Sequence, residues 1–194
     1  DLLKTQTADG YIGNYAPDHP LEHWDLWGRK YTLLGLLAYY DISNDKPVLN
    51  SAIKMTDHLI KQVKDSGKSI VKTGNYRGMP SSSFLEPVMF LYNRTGEERF
   101  LSFAKYIVQE WETPDGPQLI SKALDDIPVS QRFPSPATWW SWDNGQKAYE
   151  MMSCYEGLLE LYKVTGNPLY MSVVEKSVAN IIKEEINIAG SGSA

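Results

Sequence analysis

Three places in this chain repeat one pattern at fixed offsets, and that repeat limits the fold more than any other feature. Tyr40-Asp-Ile-Ser-Asn44 is followed by Val48, Leu49 and Ala52. Tyr92-Asn-Arg-Thr-Gly96 is followed by Phe100, Leu101 and Ala104, and Tyr162-Lys-Val-Thr-Gly166 by Tyr170, Met171 and Val174. Upstream, Leu36, Val88 and Leu158 share one offset from the tyrosine. A helix that ends on Asn or Gly, residues that tolerate a left-handed cap, then a short turn and an antiparallel partner, explains the spacing. Neither helix of such a hairpin buries its apolar stripe alone, so the hairpins must stack.

The repeats start 52 and 70 residues apart, wider than the common helical solenoids at about 33–47. The excess sits in two long connections, 68–83 and 113–145. A compact domain rarely keeps connections of that length without a use. In a ring of hairpins, long connections at one end build a site. The predicted fold is therefore all-α, with helical-hairpin repeats forming part of an (α/α)6 barrel over residues 1–188. Residues 189–194 read as a flexible tail or the start of a further segment. An open helical array is the alternative. Three hairpins make half of a six-hairpin ring, and the sequence opens in what reads as mid-domain, so a fragment of a longer enzyme, inactive alone, is the expectation.

Composition narrows the function classes. A net charge of −5 argues against nucleic acid, which wants a basic face. No apolar run approaches the roughly 20 residues of a membrane span. A single cysteine excludes an internal disulfide. Tyrosine and tryptophan are plentiful, as suits a surface that stacks on sugar rings.

Candidate site residues cluster at three predicted helix starts. His23-Trp-Asp-Leu-Trp-Gly-Arg-Lys-Tyr31 crowds His23, Trp24, Asp25 and Trp27 at the head of the first helix, either as the rim of a polar ligand site or as a first-turn acid with two core indoles. The loop 73–83 offers Asn75, Tyr76 and Arg77 to sugar hydroxyls, with glycines that permit unusual dihedrals. Ser83-Phe-Leu-Glu86 fits a capping box, which makes Glu86 a cap rather than a catalyst. The third cluster is 138–162. Trp139, Trp140 and Trp142 lie in its loop as a sugar platform, with Asp143 at a helix N-cap. Glu150 and Cys154 share a helix face one turn apart. Glycosidases usually pair two carboxyl groups; Asp25, Glu86, Asp143 and Glu150 are the acids at predicted loop–helix junctions, any two of which could form the pair, and Asp143 and Glu150 are taken as the catalytic candidates. With one cysteine and three histidines (His19, His23, His58), a closed zinc site is not available from this chain alone.

Asp9-Gly-Tyr-Ile, the Trp24–Tyr31 helix start leading to Ala38-Tyr-Tyr40, the Tyr-x-x-Thr-Gly units and Ala148-Tyr-Glu-Met-Met-Ser-Cys154 together resemble the family of β-L-arabinofuranosidase-like glycoside hydrolases. The resemblance runs over most of the chain. It implies an (α/α)6 catalytic barrel, usually followed by β-rich domains, in which a cysteine thiolate beside a zinc ion is the nucleophile and a glutamate the acid/base. A Glu-Thr-Cys motif there supplies two zinc ligands, and a later Cys-Cys pair supplies the nucleophile and another. By resemblance Cys154 is the motif cysteine, hence a metal ligand, and Ser153 the threonine. Met152 stands where the motif glutamate should be, with Glu150 two positions earlier. Asp25 matches the acid of a His-Glu pair whose histidine is Trp24 here. No Cys-Cys pair occurs in this sequence. Zinc is thus implied by a motif that is incomplete, either because the sequence stops before the pair or because this branch lacks zinc–thiolate chemistry.

The expected activity is glycoside hydrolysis on plant or microbial polysaccharide. The partners are then an oligo- or polysaccharide and the remainder of a parent chain, with a periplasmic or secreted location. The rival readings are another (α/α)-barrel sugar enzyme, such as an unsaturated uronyl hydrolase or an epimerase, and a non-catalytic carbohydrate-binding or scaffold module.

Overall fold

The computed structural model describes residues 2–16, 18–134 and 147–191. The α-helices are α1 (Asp25–Ser43), α2 (Lys46–Ser66), α3 (Met79–Ser82), α4 (Leu85–Thr95), α5 (Glu98–Trp111), α6 (Leu119–Leu124), α7 (Ala148–Thr165) and α8 (Pro168–Glu184), with one short 3₁₀ turn before α1 and three between later helices. The described residues contain no β-strand, and the all-α expectation holds.

The repeat is realised as three hairpins: α1/α2, α4/α5 and α7/α8. Each first helix ends on a left-handed residue, Asn44 (φ 54°), Gly96 (φ 67°) or Gly166 (φ 65°). In each, the cap N–H donates to the carbonyl of the motif tyrosine, Tyr40, Tyr92 or Tyr162, at 2.8 Å. One extended residue follows, Asp45, Glu97 or Asn167, and the second helix begins.

The hairpins form two layers. α4 packs between α1 and α7, and α2, α5 and α8 each back onto their own partner. The second-layer helices carry one clean apolar stripe, as Val48, Ala52, Met55, Leu59 and Val63 show on α2. This is the pattern of a helix with one wet face. The first-layer helices bury Leu33, Leu36 and Leu37 (α1), Leu85, Val88 and Leu91 (α4), and Cys154, Leu158 and Leu161 (α7) in one continuous core. Gly157 lets α7 approach α4 closely: a Cβ there would lie 2.7 Å from the Glu86 backbone nitrogen.

The long connections are ordered rather than structureless where they are described. Residues 68–83 run through two 3₁₀ turns and α3, and the Ile70 N–H donates to the Tyr106 hydroxyl of α5 at 3.1 Å. Residues 113–134 contain α6 and dock on α8, where the Val129 N–H donates to Asn180 Oδ1 at 2.7 Å. The buried Arg132 guanidinium donates to the Ile127 carbonyl and to Ser177 Oγ, both at 3.0 Å.

The capping-box expectation at Ser83–Glu86 fails. Ser83 Oγ donates to the Pro80 carbonyl at 2.6 Å, and the N-cap of α4 is Phe84, with no side-chain cap bond. Glu86 is thereby released for a tertiary contact.

Candidate active site

The first turns of α1, α4 and α7 lie together, and the loop 73–78 closes beside them. That loop is locked to the segment before α1, where the Gly74 N–H donates to the Leu21 carbonyl at 3.1 Å. Tyr76 (φ 48°), Arg77 (φ 53°) and Gly78 (φ 68°) are successive left-handed residues. For the two non-glycines this conformation costs on the order of 1–2 kcal/mol each. The third position must be glycine, because a Cβ there would sit 2.4 Å from Val71 Cα. Backbone held so far from its preferred basins tends to cluster at functional sites.

The loop presents Tyr76 to the aromatic rim predicted from the Trp24–Trp27 segment. The Trp24 ring lies 5.9 Å from Tyr76 and 6.1 Å from Trp27. Trp27 continues the run edge-on to Tyr31 (5.4 Å) and to Tyr149 of α7 (5.3 Å). The Tyr31 and Tyr149 hydroxyls are hydrogen-bonded to each other, joining α1 to α7. Burial, then the Tyr149 hydroxyl, push the Tyr31 phenol well above its ordinary range. The Lys147 ammonium lies 5.4 Å from the centre of the Tyr76 ring.

Beneath the rings sits a buried cation. Lys30 is 1% exposed. Its Nζ is 3.1 Å from Glu86 Oε2 and 5.2 and 5.5 Å from the Trp27 and Tyr31 ring centres. Glu156 of α7 is exposed, as the residue preceding the tight crossing at Gly157. Desolvation, then the Glu86 charge, raise its carboxyl above the ordinary glutamate range, against a smaller opposing effect of Lys30.

The predicted site residues divide among these surroundings. Trp24, Trp27 and Tyr76 come together as the rim. Arg77 is half-buried at its edge, with Nη1 donating to the Gly116 carbonyl at 3.4 Å and a buried Nε that has no partner. His23 is exposed on the segment facing Gly74. Asp25 corrects the expectation of a ligand contact. It is 1% exposed, and its carboxylate accepts from Arg29, from the Leu21 N–H at 3.0 Å and from the Tyr11 hydroxyl at 3.2 Å. Glu150 is 5% exposed, with Oε2 unpartnered near Tyr76. Asp143, Trp139, Trp140 and Trp142 lie outside the described residues.

Cys154 does not behave as a metal ligand here. Its thiol is fully buried and donates to the Met79 carbonyl at 3.4 Å. Burial pushes its pKa far above the usual thiol range. Among the described residues no three His, Cys, Asp or Glu side chains converge. The donors that Cys154 and Glu150 offer do not fit a zinc ion.

The profile of the β-L-arabinofuranosidase catalytic domain of glycoside hydrolase family GH127 matches residues 1–192. The chain belongs to this family. No individual curated protein matches it. The family's catalytic domain is an (α/α)6 barrel, and the three stacked hairpins described above form part of one. The GH127 assignment makes this a glycoside hydrolase domain with a carbohydrate substrate. It also turns attention to the face where rings and charges meet at the first-layer helix starts.

Sequence reasoning missed Lys30 and Tyr31, and set Tyr149 aside as pointing away from the Glu150–Cys154 face. One signal was available. Lys30 falls on the same helical stripe as Leu26, Leu33 and Leu37, and a lysine on a core stripe is almost never buried unless paired.

Proposed function

We propose that the face formed by the starts of α1, α4 and α7 hydrolyses glycosidic bonds in plant or microbial polysaccharide, with arabinofuranosyl-type residues as the first substrates to test. The observation that carries this reading is the buried Lys30, paired with Glu86 and lying against the rings of Trp27 and Tyr31, which link to Tyr149. A mostly aromatic wall with a few placed polar groups is the usual composition of a small-molecule site. The rings offer flat apolar faces to a sugar, while the carboxylates and hydroxyls serve its polar edge. Trp24, Tyr76 and Arg77 extend the wall, and His23 lies at its outer margin. A polymeric substrate suits a periplasmic or secreted protein. No described helix is long and apolar enough to cross a membrane.

A panel of aryl arabinofuranosides, rhamnosides and uronides tests the reading. Hydrolysis of an arabinofuranoside, lost when Trp27 is replaced by alanine, is the expected result. Binding of oligosaccharide without cleavage of any member would instead make the domain a carbohydrate-binding module.

A further inference from the structure

The first turn of α7 carries one polar group that the protein leaves unanswered. Glu150 is 5% exposed, and its Oε2 has no hydrogen-bond partner among the described residues. The other buried acids near this face are provided for. Asp25 accepts from Arg29, Leu21 and Tyr11, and Glu86 is paired with Lys30. An unpaired buried acceptor gives up the hydration it has in the unfolded chain, so a native fold that keeps one needs a reason for it.

The surroundings of Glu150 supply that reason. Lys147, Glu150 and Cys154 follow one another along one face of α7. At one end of this face the Cys154 thiol reaches the carbonyl of Met79, the first residue of α3. At the other the Lys147 ammonium lies 5.4 Å from the Tyr76 ring centre, on the loop just before α3. Glu150 stands between the two contacts, against the left-handed run Tyr76–Gly78. Burial, then the Glu150 charge, raise the Tyr76 phenol above its ordinary range. The aromatic wall also begins and ends on this turn: Lys147 meets Tyr76, Tyr76 meets Trp24, Trp24 meets Trp27, and Trp27 meets Tyr149.

We propose that Glu150 sets the specificity of this face: its carboxylate accepts from the hydroxyls of a neutral sugar ring held by the aromatic wall, and turns away a sugar that carries a carboxylate. This rests on the glycosidase reading above, and it gives Glu150 a binding role in place of an acid/base one. A hydroxyl donating to a carboxylate makes a charge-assisted bond, roughly twice as strong as a neutral one. A uronate would instead set a second negative charge against the first in a poorly hydrated place, where like charges repel strongly. The cations of this face are engaged elsewhere, Lys30 by Glu86 and Lys147 by the Tyr76 ring. The Lys147 contact is of the weak kind that an entering sugar can displace.

The test is a titration of the wild-type protein and of Glu150→Gln with methyl arabinofuranoside and with methyl glucuronide, followed by NMR at the Trp24 and Trp27 indoles. The wild-type protein should bind the neutral sugar and leave the uronate unbound over the same range. In the variant the neutral sugar should bind about tenfold more weakly, the difference between a charged and a neutral acceptor, and the uronate should begin to shift the same signals. The thermal midpoint separates this role from a structural one. Removing an unpartnered buried charge should hold or raise it, whereas removing a first-turn acid that stabilises α7 would lower it. Equal affinity of the wild-type protein for the two sugars, binding of neither, or unchanged binding in the variant would overturn the role of Glu150 and leave the glycosidase reading standing. Binding that depends on Glu150 without cleavage of any glycoside would sustain the role and overturn the glycosidase reading.

Discussion

Arg29 and Lys30 are adjacent in the chain and both 1% exposed, yet they serve opposite sides of α1. Arg29 meets a complete set of protein partners. Nε and Nη2 donate to the Asp25 carboxylate at 3.0 and 2.6 Å, Nη2 also to Gln62 Oε1 at 2.8 Å, and the Tyr11 ring lies 4.4 Å from the guanidinium carbon. His58 stands beside it, 3.5 Å from Nη1 and 3.3 Å from the Asp9 carboxylate. Lys30 has one carboxylate and two ring faces, and its carboxylate partner is itself partly exposed. A buried cation closed off by its own protein holds two segments together. A buried cation whose partner borders an open face can act on what arrives there. The two neighbours separate structural from functional charge within one helical turn.

The largest way to test that contrast is on the Arg29 side. Asp25→Ala leaves a buried guanidinium without its charge partner, and stability should fall by about 3–5 kcal/mol in chemical denaturation. A loss under 1 kcal/mol would mean that Arg29 is not closed off as described. Next comes the tight crossing of α4 and α7 at Gly157. Gly157→Ala forces a methyl against the Glu86 nitrogen and the Leu85 side chain, and overpacking of this kind costs about 1–3 kcal/mol. Its activity should fall even where the fold is retained, because α4, which carries Glu86, is pushed away from α7, which carries Tyr149. The smallest effect belongs to His58. Burial, then the Arg29 charge, lower its pKa below the ordinary 6.5, so the fold favours the neutral ring. Stability is then full above pH 6.5 and declines as pH drops through 6.5 towards the lowered value. His58→Gln should flatten that slope without changing the activity profile, as thermal midpoints against pH would show.

The repeat made the hairpins legible because a left-handed cap is a local requirement. Asn44, Gly96 and Gly166 satisfy it within their own turns. The site was legible only where its signal was also local: the Trp24–Trp27 run and the glycine-rich loop at Tyr76. Glu86 read as a cap because Ser-x-x-Glu is a nearby pattern, while its actual partner, Lys30, is far earlier in the chain. Asp25 read as a ligand contact because nothing in sequence shows that Arg29 and the Leu21 N–H turn back onto it. Cys154 drew attention by its rarity, although a lone cysteine among leucines is most often a small buried hydrophobe, and its contact with Met79 depends on how α3 meets α7.

The most direct test of the contrast is a titration with a non-hydrolysable thio-linked arabinofuranosyl oligosaccharide, followed by NMR at the Trp27 indole and the His58 imidazole. Functional charge on the Lys30 side predicts that the Trp27 signal shifts saturably while His58 stays still. A saturable shift at His58 with Trp27 unmoved would place the binding face on the Arg29 side and contradict the account.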